Sequence, residues 1–280
     1  MKLFLIIIFL FVFSSPNFAE TQVKEVKTKY SHIKVLDEGS IRTMYFVRDN
    51  GEEVIESSQD KLFPKNLFLL YTQKMFASML IQPKPEKAIL AGLGGGSMVH
   101  YINHTYPNLE LDVVEIDPEI YKLAKEYFSL KENKRTKIYI EDFFVHIKKN
   151  KQKYSIIFMD AFLKPSELTD ESGINLKAKD KEFLNDLKNH LAPNGVVAFN
   201  INTHSGFKKD IKLIRESFKN IYVFNKTGSG NVIVLATESA ERVSYKKMQE
   251  NAQVLDKSIS SNFKYSTLCE YYKETDELFK

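Results

Sequence analysis

From residue 87 onward, apolar residues occur in two kinds of pattern. Short apolar-rich runs at 88–91, 109–116, 137–140, 154–159 and 196–201 have the length and composition of strands buried in a sheet. Between them, apolar positions recur every three or four residues. Ile120, Leu123, Ala124, Tyr127 and Phe128 form one such helical stripe. Asp117 is placed to cap that helix, and Pro118 takes its first position. A further helix is predicted over 181–191, and late strands over 221–224 and 232–237. This alternation predicts an α/β fold: a doubly wound, Rossmann-like sheet with right-handed crossovers.

Ahead of that fold the pattern changes. Residues 30–36, 41–48 and 53–57 alternate apolar with polar, as half-exposed strands do. Residues 37–40 and 49–51 are turn sequences, and Asn50-Gly51 is a strong hairpin signal. These form a small antiparallel β unit over 20–62. Residues 22–29 are charged and read as a loose leader. Residues 67–80 read as one helix with a broad apolar face, ended by Pro83 and Pro85. The nucleotide-binding domain is then expected over 63–240. A polar, helical extension over 241–280 carries no recognisable chemistry.

The chain is organised around residues 88–117, AILAGLGGGSMVHYINHTYPNLELDVVEID. A buried strand stops at Gly92, Gly94 to Gly96 follow, Ser97 can cap the next helix, and a second strand ends in Glu115 and Asp117. Bare backbone at a strand end lets a ligand approach closely. A carboxylate about 20 residues further on, at the neighbouring strand tip, suits two ribose hydroxyls. A glycine turn alone is often only a tight turn. Strand, turn, helix and strand-end acid together point to a nucleotide-type site. Further strands end at Asp142 and Asp160. Strand-end acids often cap helices, which can explain Asp117 and Asp142. The sequence after Asp160, AFLKP, is no helix start, so Asp160 is expected to work in the site.

Composition narrows the picture. At 280 residues and 43% apolar content, the chain can bury one large core with a small unit beside it. A net charge of +4, scattered among acids, does not point to nucleic acid. Cys269 is the sole cysteine, so no internal disulfide is possible. His100 and His104 have the spacing of a metal pair on a helix but lack a third ligand, and no metal is expected. Residues 1–19 have a lysine start, an apolar run too short to span a bilayer comfortably, and a small polar end. They predict a signal for export to a periplasmic or extracellular location, or an uncleaved membrane anchor. With the signal cleaved, no stable membrane span remains.

AGLGGGS, VVEIDPEIYKLAKEYF, the strand ending in Asp142, YSIIFMDAF and KEFLNDLKNHLAPNGVVAFN together resemble the spermidine synthase (polyamine aminopropyltransferase) family. The small β unit is similar to that family's N-terminal domain. The resemblance implies transfer of an aminopropyl group from decarboxylated S-adenosylmethionine to a diamine such as putrescine, releasing methylthioadenosine. It implies that Gly92, Gly94 and Gly96 face the cosubstrate, Glu115 holds the ribose hydroxyls, and Asp142 contacts the adenine amino group. It further implies that Asp160 orients or deprotonates the attacking amine, that Gln73 lies near the acceptor, and that the chain forms a homodimer. An exported member needs its cosubstrate outside the cytosol or a different task.

Several positions depart from the family pattern. Leu163 stands for a second aspartate, Thr227 for a tyrosine, Gly95 for an acid in the glycine loop, and Glu56 for a glutamine. Phe143 follows Asp142 where the family has a small residue. Glu56, Glu167, Asp170 and Glu171 are candidates for replacement charge near a diamine. The losses at Gly95 and Leu163 keep open a methyltransferase using S-adenosylmethionine itself. The loss of acceptor residues also leaves room for a non-catalytic nucleotide-binding relative.

Overall fold

The computed structural model describes residues 20–274, so the expected signal or anchor at residues 1–19 lies outside the described residues. The N-terminal sheet contains β1 (Thr21–Lys27), β2 (His32–Glu38), β3 (Ile41–Val47) and β4 (Glu53–Asp60), antiparallel throughout in the order β1-β2-β3-β4. Gly39 and Gly51 make the two tight turns, with φ of 59° and 85°. The segment read as a loose leader is therefore an edge strand. Its charges mask two apolar contacts, because Val23 and Val26 pack on the main core. Lys24, Glu25 and Lys27 blunt its open edge.

The stretch read as one helix over 67–80 is two short helices, α1 (Leu70–Met75) and α2 (Ser78–Ile81). The chain tightens between them, where the N–H groups of Phe76 and Ala77 donate to the carbonyls of Gln73 and Lys74. Residues 74–81 are all buried, so packing rather than helix propensity sets their path.

The large sheet then alternates with helices. In chain order these are β5 (Lys87–Ala91), α3 (Ser97–Thr105), β6 (Glu110–Glu115), α4 (Pro118–Tyr127), β7 (Thr136–Ile140), α5 (Phe143–Lys149) and β8 (Tyr154–Met159). A long loop with a 3-10 turn at Leu176–Lys179 leads to α6 (Lys181–Asn189), β9 (Leu191–Asn202), α7 (Phe207–Ser217), β10 (Asn220–Asn225) and β11 (Asn231–Thr237). The chain continues as α8 (Tyr245–Ser258), α9 (Tyr265–Glu270) and β12 (Tyr272–Lys273). The strand order is β12-β10-β11-β9-β8-β5-β6-β7. Strands β7 to β9 in that order are parallel, and β10, β11 and β12 complete the sheet antiparallel. The tail expected to be only helical thus adds a short edge strand.

One apolar cluster packs α1 to α4 and α8 against one face of the sheet, and a second packs α5, α6 and α7 against the other. Among the described residues, no helix is long and apolar enough to cross a membrane. The winding direction reverses between β5 and β8. Ligand crevices in such sheets open at that point, beyond the carboxyl ends of the strands.

Candidate active site

The glycine loop leaves β5 at the reversal point. Gly92, with φ of 91°, lies against the main chain of Asp160 at the end of β8, and a Cβ there would overlap the Asp160 carbonyl. Gly94 likewise clears room for the Ser57 hydroxyl and stands near the Glu56 carboxylate, both from β4. Gly95 N–H donates to Ser57 Oγ at 2.9 Å. The bareness expected to admit a ligand is thus largely used by protein neighbours. Gly96 is the N-cap of α3 and packs on Leu130, so Ser97 is the first helical residue and not the cap. A Cβ on Gly95 would stand 2.8 Å from the Phe128 ring. That ring accounts for the missing acid at this position.

Glu115 ends β6 almost fully buried, at 7% exposure. One carboxylate oxygen accepts from Leu93 N–H at 2.9 Å and the other from Asp117 N–H at 2.8 Å. Burial pushes its carboxyl up to about 7, against the pull of these backbone donors. Asp117 caps α4 by accepting from Glu119 N–H, and its other oxygen accepts from Thr28, in the turn between β1 and β2, at 2.6 Å. Asp142 caps α5 through Phe144 N–H at 2.7 Å, and it also borders the crevice.

Asp160 caps no helix. Its Oδ1 accepts from the Asn200 side chain on β9 at 2.8 Å. Burial raises its carboxyl to about 6, although the Asn200 donor opposes the shift. Glu56 reaches the same space from β4. Removal from water and then the charges of Asp160 and Glu115 hold its carboxyl well above the usual range. Tyr71 on α1 donates to the Glu56 carbonyl at 3.2 Å. Burial and then the charges of Asp160 and Glu56 also raise its phenol well above normal.

Two spaces meet at these groups. A narrow slot is bordered by Gly92, Gly94, Glu115, Asp142, Asp160 and Glu56, and by the aromatic rings of Phe143, Phe144 and Phe162. It leaves about 80 Å³ for the centres of water molecules. A wider outer groove of about 700 Å³ runs from Glu56, Tyr71 and Asn200 past Asn202 and Asn231 to Glu52, Glu53 and Glu171. The slot wall carries five acids, Glu56, Glu115, Asp117, Asp142 and Asp160, and no lysine, arginine or histidine.

The fold thus brings Glu56, Gly92, Gly94, Glu115, Asp142 and Asp160 to one slot. Gly96 stands behind it. Gln73 borders neither space and donates its amide to the Leu67 carbonyl at 2.9 Å. The helix residue that does reach the groove is Tyr71. Leu163 borders both spaces, whereas Thr227 and Glu167 border neither. Glu171 sits on the outer rim and accepts from Ser205 N–H at 2.7 Å. Sequence reasoning missed Tyr71, Ser57 and Asn200. Only Asn200 left a signal: an amide inside the apolar run VVAFNI.

Asp170 is spent within its own loop, accepting from Ser172 and Ile174. With His204 and Asp210 it offers three ligand-type atoms within 4.8 Å of one another. Lys179 already serves this cluster, with Nζ 2.8 Å from a carboxylate oxygen of each aspartate. The pair His100 and His104 is not assembled, since His100 Nε2 bonds the Phe128 carbonyl and His104 is exposed.

Comparison with known proteins matches this architecture. The family model for the spermine/spermidine synthase domain matches residues 69–260. A polyamine aminopropyltransferase of Vibrio vulnificus (strain CMCP6) is 30% identical over 221 residues, covering 77% of this chain and 72% of that protein. An eEF1A lysine and N-terminal methyltransferase of Xenopus laevis is 27% identical over 203 residues, covering 66% of this chain and 29% of that protein. The crystal structure of spermidine synthase from Thermotoga maritima shares the fold, with a TM-score of 0.67 at 15% identity over 92% of this chain and 86% of that one. The matched domain begins in α1, spans every residue of the large sheet except β12, and ends just past α8. The chain belongs to the spermine/spermidine synthase family and is a transferase.

Proposed function

We propose that this transferase moves an aminopropyl group from decarboxylated S-adenosylmethionine to an amine. The observation that carries this reading is a slot walled by five acids and no basic side chain. Decarboxylated S-adenosylmethionine brings a sulfonium and an ammonium, both complementary to Glu56 and Asp160. S-adenosylmethionine adds a carboxylate. About 4 Å from an ionised Asp160, that carboxylate would be repelled by about 4 kcal/mol at an effective dielectric constant of about 20. Roughly a thousandfold in affinity follows, since each 1.4 kcal/mol is about tenfold.

In the chemical step, the amine nitrogen attacks the aminopropyl carbon next to sulfur. The carbon–sulfur bond breaks and its electron pair stays on sulfur, giving neutral methylthioadenosine. The attacking amine loses one proton, and Asp160 is the acceptor. Asn200 holds Oδ1 of that carboxylate, which leaves Oδ2 for the incoming nitrogen. A carboxyl raised to about 6 is a stronger base than an ordinary aspartate and is still ionised at neutral pH. Glu115, held by two backbone donors, is preoriented toward a ribose diol.

Methyl transfer from S-adenosylmethionine to an amine is the second reading, favoured by the lysine and N-terminal methyltransferase among the relatives. One assay separates the two. The purified protein is incubated with a diamine panel and each cosubstrate in turn. Methylthioadenosine from the decarboxylated form is expected. S-adenosylhomocysteine from the other, with no methylthioadenosine, would overturn the first reading. We also propose export through residues 1–19 and assembly as a homodimer. N-terminal sequencing of the mature protein and sedimentation equilibrium check these two points.

A further inference from the structure

A polar chain runs behind the outer groove to Asp160, and the chemical step above draws only on its last bond, from Asn200. Lys74 on α1 is completely buried. Its Nζ donates to Ser229 Oγ at 2.8 Å and to the main-chain carbonyl of Asn231. Ser229 Oγ donates to that same carbonyl at 2.9 Å. These bonds fix the turn that enters β11. The side chain of Asn231 then donates to Asn200 Oδ1 at 3.0 Å and to Asn202 Oδ1 at 2.5 Å. Asn200 donates in turn to Asp160 Oδ1.

The direction of this chain is forced by its end. An ionised Asp160 only accepts, so Asn200 must turn its NH₂ group toward it and its oxygen away. That oxygen needs a donor, and Asn231 supplies one. Asn231 opens β11 in register with Asn202 of β9, and Lys74 holds its carbonyl from the other side. Burying an ammonium against a hydroxyl and a carbonyl is costly. Burial, with Lys226 nearby, lowers the Lys74 amine to about 8. A methionine would fill the same space without that cost, so packing alone does not explain a lysine here.

We propose that Lys74 is a positioning residue for Asp160, acting through Asn231 and Asn200 to fix the carboxylate oxygen that faces the acceptor. The proposal rests on the assignment of Asp160 as proton acceptor, but its primary test does not require turnover. The side-chain carboxyl of Asp160 is titrated by carbon NMR in the wild-type chain, Lys74→Met, Lys74→Arg and Asn231→Ala. Loss of a donor to a carboxylate favours its protonated form, so Lys74→Met and Asn231→Ala should each raise the midpoint by roughly half a pH unit or more. Lys74→Arg keeps the donors and should return the midpoint toward wild type. In turnover, Lys74→Met should lower kcat with little change in the cosubstrate KM. A folded Lys74→Met with the wild-type Asp160 midpoint overturns the proposal. Should that variant fail to fold, an unshifted midpoint in Asn231→Ala overturns it equally. If the wild-type chain releases no methylthioadenosine, the transfer reading fails, while the midpoints still decide whether Lys74 positions Asp160.

Discussion

The slot and the outer groove share Glu56 and Asp160 but are built on different plans. The slot is local. Its floor is the end of β5, its wall the end of β6, and its carboxylate Glu115 is locked by two backbone donors from residues next to it in space. The groove is assembled from distant pieces: β4 of the N-terminal sheet, α1, the loop after β8, and β9 with β11. On its inner side the amides of Asn200, Asn202 and Asn231 are linked to one another. The 88–117 segment specifies the glycine turn and the Glu115 lock, while Glu56, Asp142, Asp160 and the groove require the whole fold.

The largest effect is expected where the two regions join. Asp160→Asn removes the proposed proton acceptor and should lower kcat by about 10²–10⁴-fold. Methylthioadenosine affinity, measured by calorimetry, should stay near wild type. An equal loss in both would mean that Asp160 belongs to the slot and not to the junction. Gly92→Ala comes next. It forces a side chain against the Asp160 main chain at a left-handed φ of 91°. Strain and overpacking together should cost about 2–4 kcal/mol in denaturant unfolding.

Glu115→Gln should weaken methylthioadenosine by about 10–100-fold, the range for a lost charge-assisted hydrogen bond, without altering acceptor KM. The same group gives a pH dependence. Its native value of about 7 lies above its ordinary 4.5, so the native state holds this proton more tightly. Its contribution to stability is full below about 4.5 and is lost as the pH rises through about 7. The proposed ribose contact needs the ionised form, so nucleoside affinity should rise over that same interval. Calorimetry at several pH values, with Glu115→Gln as the flat control, checks this.

Gly95→Asp restores the acid of the family pattern and should destabilise by about 1–3 kcal/mol, because Phe128 fills that space. Thermal unfolding would detect it, and any gain in cosubstrate affinity would contradict the packing argument. The smallest effect belongs to Gln73→Ala. Its amide serves the Leu67 carbonyl, so stability should fall by about 1 kcal/mol and acceptor KM should not move.

Much of the fold was legible because it rests on periodicity. The run 154–159 is β8 residue for residue, and Asp117 and Pro118 start α4 as their types dictate. Misreadings arose where tertiary contacts outweigh local pattern. Charges hid β1, and dense packing split the expected helix at residues 76–77. In the site, Glu115 and Asp160 were readable as acids at strand ends, since a strand end at the sheet's reversal is where a ligand can sit. Gln73 and Tyr71 lie two residues apart on α1, and sequence could not say which of them turns toward the groove.

By itself, then, the sequence determined the wound sheet, the glycine turn and the acids at the strand tips, because each follows from the spacing of neighbouring residues. Tertiary structure alone decided that Gly92 makes room for Asp160, that Phe128 excludes an acid at Gly95, and that Glu56 joins the slot from another sheet. It alone joined Lys74 to Asn231, 157 positions further along the chain. Such contacts depend on how whole layers pack, and the spacing of residues along the chain does not encode them.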